Sequence, residues 1–316
     1  MIAVTGEALI DLFVDQDGNC RARPGGGPLN TARTIGRLGM EPWFAGRLSR
    51  DSFGRMLATC LNSDGVTLAV PQLSSAPTTL AVVGVDSAGS PGYEFYLAGT
   101  SSGALEYADL SAALPVGLTA LHAGSLALVL EPIATAIERV ITEDLPPESL
   151  VMIDPNCRPD AIADPGAYRG RLSRILRRTD IVKVSMEDLG YLYPGSPAGQ
   201  AAASLLGQGP GLVLITDGPH PARAFVSGHE VGAEVPEVTV IDTLGAGDAF
   251  GGAFLAWWSR NALTRQDLNR IDLIREALQA SAQVAALTCT RVGAEPPWLS
   301  EIAGRPGWRL GADIDG

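Results

Sequence analysis

The sequence contains a single lysine, Lys183, against 22 arginines, and only three histidines, none at metal-ligand spacing from another. Its four cysteines, Cys20, Cys60, Cys157 and Cys289, never form a C-x-x-C pair. Their scatter offers neither a zinc site nor a disulfide framework, so free thiols of a reducing compartment are expected. No apolar run approaches the ~18 residues of a membrane span. The opening Met1-Ile2-Ala3-Val4-Thr5-Gly6-Glu7 lacks the basic start of a signal peptide and meets a charge too early for one. A soluble, cytoplasmic protein with no membrane partner is the expectation. Positive charge is also in deficit. A formal net charge of -12 disfavours a nucleic-acid partner, because affinity for a phosphate backbone requires a basic face. Finally, no G-x-x-x-x-G-K-[ST] segment exists, which excludes a P-loop nucleotidase.

What is present is apolar and periodic. With 46% hydrophobic residues in 316, the chain can bury a large core. Short apolar runs at Ile2–Val4, Thr119–His122, Leu150–Ile153, Ile181–Val184 and Leu212–Thr216 alternate with helical stretches. That alternation predicts an α/β fold, a single domain over residues 1–316 with a central, mostly parallel sheet and helices on both faces. Ligands of such sheets bind beyond the carboxyl ends of the strands, where Asp154, Lys183, Thr216 and Asp242 all fall. Two regions break the alternation, Leu9–Ala22 and Thr78–Leu97. The second reads as a hairpin around Asp86–Gly92; on pattern alone it is either a separate small sheet or an edge extension of the main one.

The most informative segment is Ile241-Asp242-Thr243-Leu244-Gly245-Ala246-Gly247-Asp248-Ala249-Phe250. Val238–Ile241 reads as a strand and Ala249–Trp258 as an apolar helix. Gly245, Ala246 and Gly247 would then present unpaired N–H groups at a helix N-terminus, an anion site. A carboxylate beside such a site repels the anion, and Asp248 makes chemical sense there as a base taking a proton from an attacking hydroxyl. Two other readings stand beside this one. The turn can be a simple tight connection, and it can belong to a dinucleotide fold, although the spacing G-x-G-x-x-x-G through Gly251 does not match G-x-G-x-x-G.

The segment resembles the second signature of the ribokinase-like (PfkB-type) carbohydrate kinases, D-T-x-G-A-G-D-x-F. Gly25-Gly26-Gly27-Pro28-Leu29-Asn30-Thr31-Ala32, followed by Arg37-Leu38-Gly39 and Gly46–Gly54, resembles the first signature in its fructokinase-like form. Between them, Gly6-Glu7 with Asp11, Asp154–Arg158, Lys183–Asp188 and Thr216-Asp217-Gly218 resemble lesser family elements. The resemblance thus covers nearly the whole chain. It departs from the pattern at three places. Asp188 stands where the family has glutamate, with Glu187 one step earlier. Pro297 lies near a serine that several members use for a monovalent cation, and Leu97 replaces an arginine found in relatives acting on acidic or bulky sugars.

The resemblance implies an ATP- and Mg2+-dependent kinase of a small sugar, most like a fructokinase, with the irregular regions forming a β lid over the sugar. Asp248 would be the base and Gly245, Ala246 and Gly247 the anion hole. Asp11, Gly25, Gly26, Asn30, Phe95 and Arg158 would meet the sugar. Lys183, Ser185, Glu187, Thr216 and Gly218 would face the nucleotide, Glu187 or Asp188 would order magnesium-bound waters, and Asp242 could hold a potassium ion. The residues taken alone leave other roles open. Gly25 and Gly26 can be turn glycines with Asn30 an N-cap, Phe95 can be core, Arg158 can pair with Asp154 or Asp160, and one of Glu187 and Asp188 can cap a helix. Kinases of 2-keto-3-deoxygluconate, ribose or a nucleoside share the scaffold, as would a silent sugar- or nucleotide-binding regulator. The lid's exposed face would allow a homodimer.

Overall fold

The computed structural model describes residues 1–15, 17–85 and 91–308. Its strands are β1 (Ile2–Thr5), β2 (Leu9–Val14), β3 (Cys20–Gly25), β4 (Trp43–Ala45), β5 (Thr67–Leu68), β6 (Thr79–Val85) and β7 (Pro91–Tyr96), then β8 (Ala120–Gly124), β9 (Leu150–Asp154), β10 (Ile181–Ser185), β11 (Leu212–Asp217), β12 (His220–Val226) and β13 (His229–Ala233). Its α-helices are α1 (Gly27–Arg37), α2 (Ser52–Ser63), α3 (Tyr107–Ala113), α4 (Ile133–Arg139), α5 (Pro165–Leu176), α6 (Met186–Leu192), α7 (Ala198–Leu206), α8 (Ala246–Arg260), α9 (Ile271–Thr288) and α10 (Leu299–Ile302).

Nine strands form the main sheet in the order β13-β12-β11-β10-β9-β8-β1-β4-β5. Pairing is parallel from β11 to β5, and only the pairings of β12 with β11 and with β13 are antiparallel. The sequence explains the burial. Strands such as Leu150-Val151-Met152-Ile153 are apolar at every position, as a sheet covered on both faces requires. Successive side chains enter opposite cores. Leu150, Met152, Leu212 and Leu214 pack with α1, α8 and α9, while Val151, Ile153, Val213 and Ile215 pack with α3 to α7.

The second sheet has the order β3-β2-β6-β7, with β2 and β6 parallel and the outer pairs antiparallel. It is distinct from the main sheet, so the edge-extension reading of Thr78–Leu97 does not hold. Its strand β3 runs to Gly25, past the expected limit at Ala22. The expected turn at residues 86–90 lies outside the described residues.

Helix α8 starts three residues earlier than the sequence suggests and is buried from Asp248 to Trp258. Phe254 stacks on Trp258 at 5.5 Å, and the indole N–H groups of Trp257 and Trp258 donate to the carbonyls of Gly307 and Thr264. The N-terminus of α8 is therefore the end of a rigid core element. Among the described residues no helix is long and apolar enough to cross a membrane.

Candidate active site

A cavity of about 600 Å³ opens at the carboxyl ends of β1, β9, β10 and β11, roofed by Leu9, Asp11, Phe13, Ala81 and Phe95 of the second sheet. Of the residues singled out in the sequence, Asp11, Gly26, Asn30, Phe95, Arg158, Lys183, Ser185, Glu187, Asp188, Thr216, Asp242, Gly245, Gly247 and Asp248 line it. Three lie elsewhere. Gly25 sits behind Asp11, where a Cβ would come within 2.0 Å of Oδ2. Ala246 is the first residue of α8, and Gly218 occupies an exposed turn between β11 and β12.

At the floor, Gly245 caps α8 in the left-handed conformation, φ 74°, with no side chain capping the helix, and the Ala246 N–H turns back to the Thr243 carbonyl at 3.3 Å. Asp248 follows in the first turn and is buried. Its Oδ2 accepts a 2.9 Å hydrogen bond from Asn30 Nδ2, which joins residues 218 apart in sequence. Burial raises the Asp248 pKa, and Asn30, Lys183 and Arg158 pull it back. Lys183 is buried against Asp154 at 2.8 Å, and its Nζ passes so near the turn that a Cβ on Gly247 would lie 2.9 Å from it. Burial, with the negative charges of Asp188 and Asp248 adding to it, pushes the carboxyl of Asp154 up to about 6 against the pull of that lysine. For Lys183 burial opposes the charge, but Asp154 and Asp188 outweigh it and raise the pKa.

Several expectations need correction. Val238–Ile241 is not a strand. Val240 and Ile241 are exposed, and with no ladder partner the segment is anchored instead by the Ile241 and Asp242 N–H groups, which donate to the Cys289 carbonyl at 2.8 and 3.2 Å. A β-branched run becomes a strand only beside another edge. Asn30 is not an N-cap. Gly26 holds that place at φ 105°, and Asn30 lies inside α1 pointing at Asp248. Arg158 pairs with neither Asp154 nor Asp160; among the described residues its guanidinium bonds only to the Asn156 and Cys157 carbonyls. Its charge still acts across the cavity, favouring ionised Asp11 and Asp248.

The two acidic neighbours differ in surroundings. Asp188 Oδ2 accepts from the Ser185 N–H and hydroxyl, Oδ1 accepts from the Cys157 N–H at 2.6 Å, and Ser185 Oγ accepts in return from the Asp188 N–H. This is a capping box opening α6. Glu187, by contrast, is exposed at the cavity. The carboxylate of Asp242 clamps two loops, accepting from Leu244 N–H at 3.0 Å and Gly293 N–H at 2.8 Å. Among the described residues, no cluster of three or more His, Cys, Asp or Glu side chains is arranged to hold a metal directly.

Sequence reasoning missed Glu7, Ser125 and Asn156. Ser125 and Asn156 line the cavity in left-handed conformations, φ 57° and 39°; asparagine tolerates this, but nothing in the sequence marks the serine. Glu7 is visible in the sequence as an acid just after an apolar strand, in the Gly6-Glu7 element, but nothing local marks its burial. It is completely buried, accepts from the Ala127 N–H at 3.0 Å, and burial pushes its carboxyl up to about 7. Because this folded value lies above the ordinary 4.5, the stability it contributes is complete below pH 4.5 and is lost as pH rises through 7. The difference amounts to about 3 kcal/mol. Glu7→Gln, which keeps the neutral shape, should melt close to wild type near pH 5 and above it at pH 8. Equal melting temperatures at both pH values would show that Glu7 is not held neutral.

Comparison with known proteins gives this geometry a setting. The sequence matches the pfkB family carbohydrate kinases over residues 1–301. It is 32% identical over 277 residues to the fructokinase of Rhizobium leguminosarum bv. trifolii, covering 86% of this chain and 84% of that protein. The structure is similar to that of Xylella fastidiosa fructokinase with bound ATP, with TM-score 0.86, 29% identity and coverage of 95% and 96% of the two chains. It is also similar to Vibrio cholerae O395 fructokinase in its fructose-, ADP- and calcium-bound form, with TM-score 0.81, 26% identity and coverage of 93% and 94%.

Proposed function

We propose, from the premise that this chain belongs to the pfkB family of carbohydrate kinases, that it is a fructokinase transferring the γ-phosphate of ATP to a primary hydroxyl of fructose. The observation that carries this reading is the Asn30–Asp248 hydrogen bond, which brings the two signature segments together beside the glycine turn. Asn30 holds Oδ2 of the carboxylate, while Oδ1 faces Gly27, where a Cβ would come within 3.2 Å of it. The open side of the base is thus turned toward backbone bare enough for a sugar carbon to approach.

In this mechanism the acceptor hydroxyl gives its proton to Asp248 Oδ1 as its oxygen bonds to the γ-phosphorus. The bond from that phosphorus to the ADP oxygen breaks opposite the attack, and ADP carries away the electron pair. The N–H groups of Gly245 and Gly247 and the cation of Lys183 meet the charge that develops on the transferring group, while the Ala246 N–H between them donates to the Thr243 carbonyl. Asp11 and Arg158 flank the sugar, and Thr216 with Ser185 borders the nucleotide. Magnesium, when bound, neutralises charge on the β- and γ-phosphates. The exposed carboxylate of Glu187 fits the ordering of its waters better than Asp188, whose two oxygens already accept hydrogen bonds. The resemblance implies a potassium ion at Asp242, but there too both carboxylate oxygens already accept backbone N–H groups, from Leu244 and Gly293. The second sheet acts as the lid that keeps water from the γ-phosphate.

Arg158, lacking a carboxylate partner among the described residues, favours one rival acceptor, the acidic sugar 2-keto-3-deoxygluconate. Assays over fructose, ribose, 2-keto-3-deoxygluconate and adenosine should give fructose the highest kcat/KM. A value about a hundredfold higher for either of the last two would overturn the assignment.

A further inference from the structure

We infer that Arg33 is a positioning residue for phosphoryl transfer, acting through Ala294 on the anion-binding turn; the inference rests on the kinase reading above. Arg33 lies one turn beyond Asn30 on α1 and is only 2% exposed. All three of its nitrogens are engaged. Nε meets Asp64 Oδ2 at 2.6 Å, Nη1 donates to the Ala294 carbonyl at 2.7 Å and Nη2 meets Glu295 at 2.9 Å. A guanidinium buried this deeply is costly unless its donors are paired, and the pairing here fixes the segment that supplies the partners.

What it fixes is the backstop of the turn. A Cβ on Gly245 would lie 2.4 Å from Ala294 Cβ, so the Ala294 methyl sits hard against the bare α-carbon that caps α8. The same loop donates the Gly293 N–H to Asp242 and accepts the Ile241 and Asp242 N–H groups at Cys289. Meanwhile α1 grips the other side of the turn. Asn30 bonds the Asp248 carboxylate, Thr31 Oγ1 donates to the Asp248 carbonyl at 3.3 Å, and Gly252 admits the Thr31 carbonyl to within 2.8 Å of its absent Cβ. One helix therefore sets both the base, through Asn30, and the anion turn, through Arg33 and Ala294. Misplacement of reacting groups by about 1 Å can cost on the order of a hundredfold in rate.

Arg37 provides the control. It shares Asp64 and Glu295 with Arg33, but its backbone contact is the Pro296 carbonyl. Arg33→Met should lower kcat at least about tenfold with the fructose KM within about threefold, and Arg33→Lys should recover part of the loss. Arg37→Met should lower the melting temperature yet keep kcat within about threefold. Ala294→Gly removes the backstop methyl and leaves every ion pair, so it carries the test if Arg33→Met does not fold; its kcat should fall with the same KM pattern. Ala294→Gly retaining kcat within about twofold, or Arg37→Met losing as much as Arg33→Met, overturns the inference. If wild type phosphorylates none of the sugars, the functional reading fails separately. The inference is then judged by MgADP with aluminium fluoride: wild type should bind it more tightly than MgADP alone, and Ala294→Gly should lose that preference, whereas an unchanged preference overturns it.

Discussion

Asp248→Asn is expected to lower kcat by at least about a hundredfold while the KM for MgATP stays within a few-fold of wild type, since a general base contributes ~10²–10⁴. The substitution keeps size and shape. An amide oxygen can still accept from Asn30 Nδ2, as Asp248 Oδ2 does at 2.9 Å, so the loss should fall on proton removal rather than on binding. Nucleotide affinity should, if anything, rise slightly, because a negative charge beside the γ-phosphate is gone. The pH profile gives an independent readout. A base works only when ionised, so activity should fall as pH falls through the Asp248 pKa. Burial places that limb above the ordinary aspartate value of 3.8. The Asn variant should lose this limb. A folded Asp248→Asn enzyme with most of its kcat would reduce the residue to a helix N-terminal carboxylate and end the mechanism.

Gly245→Ala should be nearly as damaging for a different reason. Its φ of 74° is left-handed, costing a non-glycine residue about 1–2 kcal/mol. The added methyl would also overlap Ala294, 2.4 Å from its Cβ and 3.1 Å from its Cα. The turn must shift, and its N–H groups with it. Losing one preorganised donor to a developing oxyanion costs ~10²–10³ in kcat, which is the expected loss here. Gly247→Ala meets instead the Lys183 amine at 2.9 Å, the end of a flexible chain, and should be milder. Steady-state kinetics with thermal melts for both variants settle the order; Gly245→Ala within a few-fold of wild-type kcat would show that the turn does not set the transition state.

The contrast between these residues indicates what a linear reading can reach. The strands β8 to β11 were legible because each is an apolar run whose period and length admit little else, and the carboxyl-edge rule then gathered Asp154, Lys183, Thr216 and Asp242 to one side. Features defined by a distant partner were not legible. Val238–Ile241 has strand composition, but strand identity needs a neighbour, and its N–H groups meet a loop at Cys289. Asn30 suits an N-cap by type; only folding reveals that Gly26 takes that place and that the amide points across the core at Asp248. Arg33 reads as a surface arginine in Thr-Ala-Arg-Thr, and nothing local says that it is buried between Asp64 and Ala294. The Ser185–Asp188 capping box, in contrast, is written in four consecutive residues, which is why helix capping by one of Glu187 and Asp188 was legible in the sequence.

The lone lysine has a practical consequence. Because Lys183 is the only lysine in the sequence, feeding the producing cells one isotopically enriched amino acid would give a protein whose spectrum holds a single side-chain ammonium resonance. That nucleus sits 2.8 Å from Asp154 and beside Gly247, so the molecule carries a built-in spectroscopic reporter on the wall where the phosphate chain would lie, with no background to subtract.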